Sequence, residues 1–153
     1  MKKVLLPVDD SQGARAAVRT CVRLFGARPP ASVLLLHVLQ PGGRSLLHDR
    51  VSDAELAPLR EQLENSGTMS KLERAAQDIL EFHRKRLQRA RLPHIRTITR
   101  FGHVAEEIIK AAAEERSDVI IIGSSRTRLQ KLLMGDVVRE VLDEAKSPVL
   151  LAR

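Results

Sequence analysis

Side chains able to do chemistry are thinly spread along this chain. Its five histidines, His37, His48, His83, His94 and His103, stand apart. None forms the H-E-x-x-H spacing that sets two imidazoles on one helix face for a metal. Ser124 and Ser125 lack the G-x-S-x-G elbow of a serine nucleophile, and no G-x-x-x-x-G-K-[ST] stretch cradles a triphosphate. His37, at the end of an apolar run, reads as a core histidine with its polar atoms satisfied rather than as a base. Cys21 is the single cysteine. It falls among apolar positions at helical spacing, so it reads as a packing thiol. A lone cysteine excludes an intramolecular disulfide and a multi-cysteine zinc site, and fits a reducing, cytoplasmic setting. Catalysis is therefore not expected, and no catalytic or metal-binding residue is assigned.

Two stretches carry binding chemistry instead. Asp9-Asp10-Ser11 closes the apolar run Val4-Leu5-Leu6-Pro7-Val8. Gly123-Ser124-Ser125 opens a loop that holds Arg126, Arg128 and Lys131 and no acid before Met134, after which Gly135-Asp136 precedes a helical segment. Three cations in one loop could hold phosphates through their side chains; equally, they could keep a surface loop soluble. Asp136 is a strong helix N-cap, placed to accept the N–H of Val138 or Arg139.

The elements that must position these stretches follow from periodicity. Lys3 to Val8 and Ser32 to Val38 are short runs apolar on both faces, as in buried parallel strands. Asp118 to Gly123 is a third, rich in β-branched residues, and Ser147 to Ala152 a fourth. Ile95 to Phe101 alternates as a strand does. Helical spacing covers Gly13 to Phe25, capped by Asp10 or Ser11, with Arg15, Arg19 and Arg23 on its wet face. It also covers Met69 to Ala90, His103 to Glu115 and Val137 to Ala145. The far end of the second helix is basic, Arg84-Lys85-Arg86 with Arg89 and Arg91, as the helix dipole favours. Residues 39–70, with Pro41-Gly42-Gly43, Pro58 and Asn65-Ser66-Gly67, read as a surface excursion with one or two helical turns. Strands alternating with helices make an α/β layered sheet, mostly parallel.

The chain has 153 residues, which fits one domain. No run of eighteen apolar residues is present, so no membrane span is expected. The opening Met1-Lys2-Lys3 and its short apolar run meet Pro7 and Asp9 too early for a signal-peptide core. The formal net charge is +7, which suits anionic partners without requiring them. Aromatics are three Phe with no Trp or Tyr. That poverty argues against platforms that stack several bases, and no zinc finger or single-strand-binding signature is present. A nucleic-acid partner is accordingly the less expected reading of the charge.

The ordered set of motifs resembles the universal stress protein family. The resemblance rests on the opening strand with Asp9-Asp10-Ser11, on Leu36-His37-Val38, and above all on the tail. That tail runs Asp118-Val119-Ile120-Ile121-Ile122-Gly123-Ser124, then a basic loop, Leu132-Leu133-Met134-Gly135, Val137-Val138 and Ser147-Pro148-Val149-Leu150-Leu151. It implies a five-stranded parallel sheet in the order 3-2-1-4-5, doubly wound with helices on both faces, over residues 1–153. It implies a ligand crevice where the strand order reverses, at the ends of the first and fourth strands. Pro7, Val8, Asp9 and Val38 would contact base and ribose, and Gly123, Ser124, Ser125, Arg126, Arg128, Gly135, Asp136 and Val137 the phosphates. It also implies a homodimer paired along the last strand through Val149, Leu150 and Leu151.

ATP-binding members share Gly-x2-Gly-x9-Gly-Ser/Thr, whose glycines let backbone N–H groups approach phosphate. This chain departs from that pattern three times. The middle Gly is Arg126, the interval from Gly123 to Gly135 is one residue short, and Asp136 replaces the final Ser or Thr. A carboxylate about 4 Å from a phosphate costs roughly 4 kcal/mol at an effective dielectric near 20 before screening. The expectation is thus a stress-response regulator or binding module that acts as a dimer, with a degenerate nucleotide site and weak or absent ATP binding. The alternative is an ATP-binding member with an Arg/Lys phosphate clamp, a Mg ion on the triphosphate and slow hydrolysis. A third reading is a nucleic-acid-associated protein that uses the basic surface.

Overall fold

A computed structural model describes residues 2–40, 53–124 and 137–153. Five strands, β1 (Lys3–Pro7), β2 (Ser32–Leu39), β3 (Ile95–Phe101), β4 (Val119–Gly123) and β5 (Val149–Ala152), form one sheet in the order β3-β2-β1-β4-β5. All neighbours run parallel. Helices α1 (Gln12–Phe25), α2 (Asp53–Asn65), α3 (Thr68–Arg89) and α4 (Val104–Glu114) connect them, and residues 137–144 are helical, here α5. Among the described residues no helix is long and apolar enough to cross a membrane.

The side-chain period of two sorts the strands between two cores. Val4, Leu6 and Val8 join Val33, Leu35 and Ile121 under α1 and α3. Leu5, Leu34, Leu36, Ile120 and Ile122 face α4 and Val141 of α5 on the other side. Both faces of β1, β2 and β4 are buried, which is why these strands read as continuous apolar runs. Ser11 caps α1, its Oγ accepting the Ala14 N–H at 3.1 Å, and so takes the capping role that Asp10 could also have filled.

The excursion over 39–70 holds more structure than one or two turns: α2 is a 13-residue helix. Its apolar stripe is weak and it contains Pro58, which removes one intrahelical hydrogen bond. Tertiary packing compensates, since Leu63 lies against a small core of Leu39, Met69 and Ala76, with Leu72 and Phe101.

Helix α1 meets β4 backbone to backbone. A Cβ on Gly13 would lie 3.2 Å from the Ser124 carbonyl oxygen, and one on Gly123 would overlap the Gly13 carbonyl. The Gly123→Ala variant should therefore lose about 3 kcal/mol, the upper end of overpacking costs. That corresponds to a melting temperature roughly 6–12 °C lower for a domain of this size. Thermal unfolding followed by circular dichroism checks it; a variant melting with the wild type would contradict this packing.

Candidate functional site

Strand β1 is the point where the sheet's order reverses, with β2 on one side and β4 on the other. In doubly wound sheets the crevice outside the strand ends at such a point takes ligands. Val4 is level with Val119 and Leu5 with Ile120, so the same register sets Val8 level with Gly123 and Asp9 with Ser124. The structure thus brings Pro7, Val8 and Asp9 beside Gly123 and Ser124. Val38, level with Arg100, and Val137 of α5 both pack against the α4-side core, Val38 as the penultimate residue of β2 on the other flank. Ser125, Arg126, Arg128, Lys131, Gly135 and Asp136 lie outside the described residues.

The turn after β1 is held from three directions. Asp9 Oδ1 accepts the Ser11 N–H at 2.8 Å, which folds the turn just ahead of the helix cap. His37 Nδ1 donates to the Val8 carbonyl at 2.8 Å. His83 Nε2 donates to the Asp9 carbonyl at 3.0 Å. A carbonyl only accepts, so each contact fixes the imidazole tautomer. His37 is the satisfied histidine its position suggested. His83, only 1% exposed, was not singled out in the sequence as part of this site. The signal was available: it stands three residues after Leu80 and four before Leu87, on the buried stripe of α3.

With its proton on Nε2, His83 leaves Nδ1 buried without a hydrogen-bond partner. Burial is the main cause that pushes its pKa below 6.5, with Arg86 and Arg15 adding to the depression; the Asp9 carbonyl opposes it. Beyond β4 the Ser124 N–H is committed to the Ala152 carbonyl at 2.8 Å. Gly123 has a packing reason to lack a side chain, as described above. Cys21 is buried, and desolvation pushes its thiol up to about 12, so it is inert near neutrality.

Two further constellations lie away from the reversal point. A groove of about 460 Å³ is lined by Leu39, Arg60, Met69, Arg100, Phe101 and Glu107 among others. Three of its charged groups already have partners: Arg100 pairs with Glu107 at 3.5 Å and hydrogen-bonds Glu114, and Arg60 pairs with Glu64 at 3.1 Å. The chemistry of the reversal point therefore outweighs the size of this groove. His103, Glu106 and Glu140 place one ligand atom each within 4.8 Å of one another, with His103 Nδ1 3.9 Å from Glu140 Oε1. These are the described residues whose spacing is compatible with a metal ion.

Fold and reversal point together define a doubly wound α/β architecture, and similarity to known proteins narrows it. A profile of the universal stress protein family matches residues 1–153. Universal stress protein MJ0577 of Methanocaldococcus jannaschii is 31% identical over 156 residues, covering 99% of this chain and 94% of that protein. Universal stress protein G of Shigella flexneri is 30% identical over 154 residues, covering 99% of both. The solved structure of MJ0577 superposes with a TM-score of 0.75 at 28% identity, over 99% of this chain and 94% of that one. A universal stress protein from Archaeoglobus fulgidus in complex with dAMP shares the fold, with a TM-score of 0.63 at 20% identity over 100% and 98% of the two chains. The chain belongs to the universal stress protein family.

The His83 arrangement sets a pH dependence. In the unfolded chain the imidazole takes a proton near pH 6.5, whereas the native one resists it. The unfolded state then binds more protons, so stability is complete above about pH 6.5 and is lost as pH falls toward the lower native value. Denaturant unfolding between pH 7.5 and 5.5 should show this slope, at most about 1.4 kcal/mol per pH unit from this group. The His83→Gln variant keeps an N–H donor without a titrating ring and should flatten it. An unchanged slope would mean that the native imidazole takes up its proton as readily as the unfolded one.

Proposed function

We propose that this chain is a dimeric binding module of stress physiology whose crevice takes an adenine nucleotide mainly by its base and ribose, with little hold on a triphosphate. The observation that carries the reading is the pinned turn. Val8 and Asp9 have their carbonyls fixed by His37 and His83, which pre-organises the crevice on the nucleoside side. One Asp9 oxygen is occupied by Ser11, and among the described residues Oδ2 has no donor, which suits it to accept from a ribose hydroxyl or a base amine. Relatives with the same fold form complexes with AMP, cAMP and dAMP, ligands that carry one phosphate.

The phosphate side supports weak ATP affinity. The Ser124 N–H is already used, and Gly123 is required by Gly13 whether or not a phosphate binds. The departures at Arg126 and Asp136 remove a glycine and add a carboxylate. Neither a catalytic group nor a bound Mg ion is part of this reading. The dimer contact in this reading is β5, an edge strand with Leu150 36% exposed and Val149 and Leu151 half-buried. An apolar edge with unpaired backbone groups favours pairing with a second copy.

Calorimetry with adenosine, AMP and ATP tests the ligand. The expected result is similar weak affinity for all three, with little dependence on salt. Affinity rising steeply with phosphate number and falling with salt would instead establish the side-chain clamp of Arg126, Arg128 and Lys131; replacing all three with Ala would then abolish it. Asp136→Ser should raise ATP affinity, by up to several hundredfold if the full repulsion of about 4 kcal/mol is removed. Light scattering at micromolar concentration should give twice the chain mass, and Leu150→Lys should shift it toward the monomer.

A further inference from the structure

We propose that the outer face formed by α1 and α3 binds single-stranded nucleic acid, at a surface separate from the crevice contacts above. In the sequence, Arg15, Arg19 and Arg23 are one wet helix face, and the basic end of α3 has a helix-dipole explanation. The structure joins the two. Phe82 of α3 is 45% exposed, and guanidiniums from both helices lie against its ring, Arg15 at 5.3 Å and Arg86 at 5.7 Å from the centroid.

The arginines of this face have no ion-pair partner among the described residues. Helix α1 contains no acidic residue. Several cations elsewhere are paired: Arg84 and Lys85 with Glu81, Arg96 with Glu115, Lys110 with Glu106 and Glu107. Among the described residues Arg15, Arg19, Arg23, Arg86 and Arg89 form no ion pair. Glu81 is engaged by its own helix neighbours, so the acid closest in sequence to Phe82 does not neutralise the face. Both helices return against the direction of a parallel sheet, so they run the same way. From the Arg15–Phe82 contact, the rows Arg15-Arg19-Arg23 and Phe82-Arg86-Arg89 therefore extend side by side, over about 12 Å at 1.5 Å per residue.

Two rows of guanidiniums flanking one partly exposed aromatic ring suit a particular ligand. Guanidiniums bind phosphodiester oxygens, and the ring offers a stacking surface to an unpaired base. Duplex bases are already stacked and would leave the ring unused, and an acidic peptide would satisfy the arginines without requiring it. The scarcity of aromatics in the chain excludes a platform of several rings; it does not exclude one ring centred among cations.

Fluorescence anisotropy with labelled oligo-uridylate and oligo-thymidylate of about 12 nucleotides tests the proposal. Inorganic polyphosphate and poly-glutamate serve as competitors. Binding should weaken with salt at a log–log slope near −3, for four to five phosphates at about −0.7 each. Arg19→Ala with Arg89→Ala should lower affinity at least tenfold and make that slope shallower by about 1.4. Arg96→Ala, which removes the same kind of charge from a paired position, should change neither. Phe82→Leu keeps apolar bulk but loses the π-face. It should weaken both oligonucleotides about tenfold and leave polyphosphate competition unchanged in the wild type's range.

Equal affinities for the two oligonucleotides mean that the face reads phosphate and base alone. A preference for uridylate assigns the ligand as RNA, and a preference for thymidylate as DNA. The proposal is overturned if neither oligonucleotide binds at 50 mM salt, if poly-glutamate competes as well as an oligonucleotide, or if the α1/α3 variants bind as the wild type does. Melting temperatures of all variants, taken alongside, separate lost binding from lost folding. Should Phe82→Leu fail to fold, Phe82→Tyr, which keeps the ring, must bind and the arginine pair decides the result.

Discussion

Helix α1 rests its backbone directly on the end of β4, where Gly13 leaves no room for a side chain on Gly123 and the β4 end leaves little for one on Gly13. That contact sets how far the start of the first helix stands from the sheet beside the ends of β1 and β4. It also gives Gly123 a role that precedes any ligand. In a loop read for phosphate chemistry, the first glycine is needed by the fold itself.

The turn from β1 into α1 is then over-determined. Ser11 caps the helix and receives an Asp9 carboxylate oxygen through its own N–H. His37 arrives from β2 and His83 from α3, each taking one carbonyl of the turn. Buried polar atoms are costly when unpaired, so these bonds tie three separate elements to two consecutive residues. The remaining cost sits at His83 Nδ1, which has no partner. It is tolerable because the ring stays neutral near physiological pH, where two nearby guanidiniums and burial oppose its protonation.

The same helix pair that fixes the turn also shapes the outer surface. Two residues adjacent in sequence serve opposite sides of α3: His83 points to the Asp9 carbonyl, while Phe82 meets Arg15 and Arg86 in the open. The edge-on contact of the two rings, with centroids 5.1 Å apart, links the crevice side to the exposed side.

The sequence by itself determined the strands, the α/β class and the two cores, because each is written in local periodicity: Val4, Leu6 and Val8 against Leu5, or Ile120 and Ile122 against Ile121. Together with the motif resemblance it also located Asp9 and Gly123 at strand ends and the order of the sheet. Helix α2 was less legible, since Leu63 is one anchor on a weak stripe and the small core at Leu39, Met69 and Phe101 that holds it comes from three other elements. Only the tertiary structure decided that His83 reaches Asp9 across 74 positions, that Gly13 occupies the space a side chain on Gly123 would need, and that the arginines of α1 and α3 share Phe82. The physical reason is common to all three. Periodicity tells a residue which face of its own element it occupies, but which foreign face it meets is set by strand order and helix packing, and no local pattern carries that information.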